Sequence, residues 1–124
     1  MNYVENYYDL EVYKLCRQLA KEIFEISKTF PKEEKYSLTD QMRRSSRSIG
    51  GQIAEAWARR KYEKHFVSKL TDAEGEQLET RHWIDTASDC SYIETQVADH
   101  LLDKYTYVGR MLNSMKDKSS FFCD

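Results

Sequence analysis

One proline and four glycines in 124 residues supply too little turn chemistry for an all-β fold, whose many tight reversals draw on those two residue types. No stretch approaches the 18 or so consecutive apolar residues of a membrane span, so no membrane contact is expected. The cysteines Cys16, Cys90 and Cys123 are odd in number and far apart. That excludes a disulfide framework and a zinc spacing, and fits reduced thiols in a cytoplasmic protein. The opening MNYVENYYDLEVYK carries acids and tyrosines where a secretory leader needs a basic start and an apolar run. Its tyrosines read as amphipathic packing rather than a stacking platform. There is no Gly-rich phosphate loop, no Ser/His/Asp ordering and no HExxH zinc motif, so no enzyme and no cofactor is expected.

What the chain does contain is helix-forming amphipathic sequence. Its charged fraction of 32% exceeds the roughly 25% of ordinary globular chains, beside a hydrophobic fraction of 40%. The length suits one domain, taken as residues 1–124. Asp9 is placed as the N-cap of a first helix, in which Val12, Tyr13, Cys16, Leu19, Ala20, Ile23, Ser27 and Phe30 keep a three-four spacing up to Pro31. Residues 31–37 form a connection. Leu38 and Thr39 then read as an apolar residue and an N-cap, with Asp40 in the first turn. A third apolar phase runs through Phe66, Val67, Leu70, Ala73, Gln77, Leu78 and Ile84. A fourth follows the polar Ser88–Ser91 stretch, through Val97, Leu101, Lys104, Val108, Met111 and Met115. Residues 116–124 are expected to fray, with Phe121 and Phe122 able to dock on a neighbour. Together these predict an all-α fold, an antiparallel up-down four-helix bundle, with helices over about 9–30, 39–61, 63–87 and 92–116.

The second helix is the richest segment. Met42, Ile49, Ile53, Ala56 and Trp57 fall on one side as a core face, while Ser46, Gly50, Ala54 and Ala58 recur every fourth residue as a ridge of small side chains. Each glycine inside a helix costs roughly 0.8–1 kcal/mol relative to alanine. Close helix–helix contact along the ridge would offset that, which makes Ser46, Gly50, Ala54 and Ala58 the candidate oligomer interface. Residues 40–65 also hold Arg43, Arg44, Arg47, Arg59, Arg60, Lys61 and Lys64 against Asp40, Glu55 and Glu63, a local +4 in a chain of net charge −2. These seven cations are the candidate RNA- or DNA-binding residues, since a repeated cationic patch attracts phosphate. The alternative is that they pair with acids on other helices.

Two carboxylate motifs carry less. Glu55 and Glu74 lie among apolar or small residues and would need a partner such as Arg43, Arg44 or Arg47. Glu79-x-x-His82 has the spacing of a dinuclear metal bundle, but such a site needs two copies and two further carboxylates, so no metal is expected.

Taken together, Asp9-Leu10, Val12-Tyr13-Lys14, Phe30-Pro31, Glu34, Tyr36, Leu38-Thr39, Gln41, Arg43-Arg44, Ser48-Ile49 and Ile53-Ala54-Glu55 resemble the 23S ribosomal RNA intervening-sequence protein family. Further on, Phe66, Leu70, Ala73-Glu74-Gly75, Leu78-Glu79 and Met111-Leu112 extend the resemblance over nearly the whole domain. Where that family reads Pro-x-Asn-Ile-Ala-Glu-Gly, this chain has Gly50 to Ala56, GGQIAEA, and Glu76 stands where a serine commonly follows the third-helix glycine. The resemblance extends to the accessory proteins of diversity-generating retroelements. It implies a homopentamer as the assembly and RNA or DNA as the ligand. The expected function is a non-enzymatic homo-oligomeric scaffold or adaptor that engages RNA or DNA through helix two. The alternative is a purely structural or protein-binding assembly factor without nucleic-acid contact.

Overall fold

In the computed structural model, residues 4–124 are described. The long helices are α1 (Glu11–Ser27), α2 (Asp40–Ala58), α3 (Glu63–Asp89) and α4 (Thr95–Asp117), with a short α5 (Ser119–Phe122) at the end. Cross-helix contacts fix the register. Tyr13 near the start of α1 lies against Gly50 in the second half of α2, while Phe24 near its end lies under Arg43 at the start of α2. Likewise Ser45 bonds Thr80 and Glu55 meets Lys69 between α2 and α3, and Glu22 meets His100 between α1 and α4. Each neighbouring pair is therefore antiparallel, as the short connections require. No helix among the described residues is long and apolar enough to cross a membrane.

The core is one cluster drawn from all four long helices. The predicted face of α2 is buried in full: Met42, Ile49, Ile53, Ala56 and Trp57. In α4 the predicted Leu101, Val108 and Met115 are buried, while the alternate positions fall one residue on, at Ala98, Tyr105 and Leu112 in place of Val97, Lys104 and Met111. Lys104 is exposed. A lysine cannot hold the seam once the neighbouring tyrosine is free to turn inward, and Tyr105 is wholly buried, its phenol pushed well above its ordinary range by that burial. In α3, Gln77 is buried but Leu78 is 54% exposed. Gly109 explains Gln77: a Cβ there would sit 3.0 Å from the amide nitrogen of Gln77, so the bare glycine lets α3 and α4 close around it.

The helix ends differ from their predicted positions. Asp9 is not an N-cap: it belongs to a 3₁₀ turn over Tyr7–Asp9, and Leu10, extended at φ −67° and ψ 132°, precedes α1 without a side-chain cap. Helix α1 stops at Ser27, and Phe30 is held by a bond from its N–H to the Ser27 carbonyl because Pro31 disfavours helical geometry there. Thr39 makes no cap bond either. Residues Lys35–Thr39 form a wide π turn that runs straight into α2, so Thr39 is already helical. Helix α2 ends at Ala58, three residues early, and Tyr62 breaks out to extended geometry. Helix α3 closes with a bond from the Tyr92 N–H to the Ala87 carbonyl, Ser91 taking the left-handed position at φ 60° that glycine usually fills. The chain end does not fray: Phe122 stacks on Phe66 at 6.1 Å while Phe121 stays 60% exposed. Of the tyrosine-rich start, Tyr7 packs edge-on against Tyr13, and Tyr3 lies outside the described residues.

Candidate nucleic-acid interface

The helical period distributes the seven cations around α2 and its exit turn rather than along one stripe. Arg43 turns toward α1, donating from Nε to the Ser27 hydroxyl at 2.8 Å and lying 4.7 Å over the Phe24 ring. Arg44, one residue on, turns the other way and pairs with Glu76 at 3.3 Å and with Glu79. Glu79 also accepts from the Trp83 indole at 3.1 Å. That bond first, and Arg44 after it, holds its carboxyl below the ordinary range. Arg47 returns to the α1 side, 5.6 Å from the Phe24 ring centre, with no carboxylate partner among the described residues.

The other four cations sit at the far end of α2. Twelve residues separate Arg47 from Arg59, about 18 Å at 1.5 Å per residue. Arg60 lies flat on Trp57 at 3.9 Å and donates to its carbonyl at 3.0 Å. Arg59, Lys61 and Lys64 make no ion pair among the described residues and are exposed. Tyr62 stands between them, 61% exposed and 5.7 Å from the His65 ring. The predicted single basic surface is thus two clusters: among the described residues only Arg44 of the first pairs with carboxylates, and none of the cations from Arg59 to Lys64 does.

The small-residue ridge is divided in the same way. Ser46 and Gly50 are buried inside the subunit against α1, Ala54 is half-buried and Ala58 is exposed. Gly51, one residue out of that ridge, is exposed, and a Cβ on it would meet nothing within 4 Å. Glu55 does not pair with an arginine: it is exposed and takes Lys69 at 2.9 Å. Glu74 accepts from Gln77 at 3.3 Å. His82 leans on Trp83 with ring centres 4.7 Å apart, and with Glu79 engaged by Arg44 the Glu-x-x-His pair has no open carboxylate. Among the described residues no group of three or more His, Cys, Asp or Glu side chains is placed to hold a metal ion.

Sequence reasoning missed a groove of about 710 Å³ between α1 and α2, lined by Arg17 and Lys21 as well as Arg47. The signal lay in the spacing of Arg17 and Lys21, four residues apart on one face of α1. It has meaning only once the register with α2 is known. The thiols contrast sharply: burial pushes Cys16 up to about 12, whereas Cys90 is exposed at the end of α3.

Residues 8–114 match the family described as the 23S rRNA-intervening sequence protein. This chain belongs to the 23S rRNA-intervening sequence protein family. Its four long helices agree with that membership, as does a solved structure from Bacteroides thetaiotaomicron VPI-5482, a protein with unknown function from the S23 ribosomal protein family. That structure superposes with a TM-score of 0.77 at 26% identity, covering 86% of this chain and 95% of the other. No curated protein matches the chain. The family match begins just before α1 and runs to near the end of α4, so it includes both cationic clusters and the α1–α2 groove.

Proposed function

We propose that this protein is a non-enzymatic, cytoplasmic, homo-oligomeric helical scaffold or adaptor that binds RNA or DNA through the basic end of α2. The observation that carries this reading is the run from Arg59 to Lys64, where Arg59, Lys61 and Lys64 stand exposed and, among the described residues, free of acidic partners beside the open ring of Tyr62. Each cation supplies a phosphate contact, and a ring beside them offers a face for an unpaired base. Repetition of the cluster in every copy of a ring would multiply its field. The outward continuation of small residues through Ala54 and Ala58 gives copies a smooth flank to meet, and the pentamer that the sequence resemblance implies is the number we propose.

A second reading, a structural or protein-binding assembly factor without nucleic acid, is favoured by the engagement of Arg43, Arg44 and Arg60 within the subunit. Anisotropy of labelled single-stranded RNA and DNA at rising salt, on protein whose mass is measured by light scattering, separates the two. Binding is expected, with an affinity that falls steeply with salt. The Arg59→Gln, Lys61→Gln, Lys64→Gln triple variant is expected to flatten the log–log salt slope by about 2–3 per subunit engaged. Flat isotherms at low salt would leave the protein-only reading.

A further inference from the structure

We infer that the groove between α1 and α2 is a binding site for a free phosphorylated small molecule carrying a flat ring, of the size of a nucleoside diphosphate. Its volume of about 710 Å³ lies in the range of small-ligand sites, roughly 300–1,000 Å³. Its lining is more apolar than polar, as such sites are, and its polar character is of one sign. Arg17 and Lys21 rise one turn apart from α1, and Arg47 faces them from α2. No aspartate or glutamate lines the groove, and none of the three cations has an acidic partner among the described residues. In a chain of net charge −2, an acid-free concavity holding three cations is a local field for a multiply charged anion.

The shape indicates what accompanies the anion. Tyr13 and Phe24 supply rings to the lining, and Gly50-Gly51 leave the opposing stretch of α2 without side chains. Gly50 is accounted for by the Tyr13 ring, 3.5 Å from where its Cβ would stand. Gly51 is not accounted for within the subunit, since a Cβ there would meet nothing within 4 Å. A bare backbone on a groove wall lets a planar group approach closely. The arginines hold phosphate by their planar forks, and their present partners are only ring faces, Arg17 at 6.0 Å from the Tyr13 centre and Arg47 at 5.6 Å from that of Phe24.

The proposal does not rest on the nucleic-acid reading, whose cations lie in and just after the turn that leaves α2, outside the groove lining. Calorimetric titration of the whole protein with ADP, with inorganic phosphate and with a short single-stranded oligonucleotide tests it. ADP is expected to bind saturably, once per subunit and more tightly than phosphate. Arg47→Gln should weaken ADP about ten- to a hundredfold. Gly51→Leu, which fills the groove and keeps every charge, should abolish binding with helicity unchanged by circular dichroism. Lys61→Gln should leave ADP binding intact while it weakens the oligonucleotide, so the two readings fail separately. The proposal is overturned if ADP does not saturate, or if phosphate binds as well as ADP. It is equally overturned if Gly51→Leu reduces oligonucleotide binding, which would make the groove part of a strand path. A change of mass in Gly51→Leu, with ADP inert on the parent protein, would assign the groove to a second copy instead.

Discussion

Helices α2 and α3 are joined at three levels, by Arg44 on Glu76 and Glu79, by the Ser45 and Thr80 hydroxyls 2.9 Å apart, and by Glu55 on Lys69. Helix α1 meets α2 across an open groove, and it meets α4 with His100 on Glu22 at 3.0 Å. The two sides differ in what flanks the apolar seam. On the α2–α3 side opposite charges face each other and satisfy one another. On the α1–α2 side cations face cations, ring faces stand in for carboxylates, and glycine replaces bulk. A bundle built this way has its stability concentrated in the closed pair and its unspent charge on the open one.

Truncation in the closed half should produce the largest effect. Phe66 is fully buried and carries Phe122 on its ring, so Phe66→Ala should cost about 3–5 kcal/mol in urea unfolding. Tyr13→Ala, at a half-buried ring on the open side, should cost less than half of that because much less apolar area leaves the core. Equal losses would erase the contrast. A smaller test compares glycines. Gly51→Ala should stabilise by about 0.5–1 kcal/mol, since its Cβ enters open space. Gly109→Ala should destabilise, because its Cβ would press on the Gln77 amide at 3.0 Å. The smallest effect concerns the loop end. The Tyr92 hydroxyl donates to Glu34 at 2.9 Å, and that bond is the main reason its pKa is pushed up to about 12. A folded-state value above the unfolded one stabilises below the unfolded value, near pH 10, and the benefit disappears as pH rises through about 12. The melting temperature of the parent should therefore fall toward that of Tyr92→Phe between those two pH values, while the two differ at neutral pH.

The fold was legible wherever burial is dictated by spacing alone. The core residues of α1 and α2 follow from the three-four period, because Leu19, Ile23, Ile49 and Ile53 have no competing way to be satisfied. Phase was misread in α4, where Val97, Lys104 and Met111 make as regular a repeat as Ala98, Tyr105 and Leu112. Only packing against α1 and α3 selects between them. Cap positions at Asp9 and Thr39 were misplaced because a 3₁₀ turn and a π turn satisfy backbone groups that a side chain would otherwise serve. The candidate site was legible as a composition, not as a place. Seven cations in one segment were plain, yet their division follows from a rotation of about 100° per residue and from partners on α1 and α3. The α1–α2 groove needed the register of two helices, which no single stretch of sequence encodes.

Cys90 ends α3 on the tip of the molecule opposite the Arg59–Lys64 turn, a helix length of about 40 Å away. With Cys16 sealed in the interior and Cys123 partly covered, it offers a natural anchor for a single fluorophore, remote from the basic turn. Energy transfer between dyes attached there would report whether copies of the chain associate at all and, where they do, how far apart they hold their tips, without altering one amino acid.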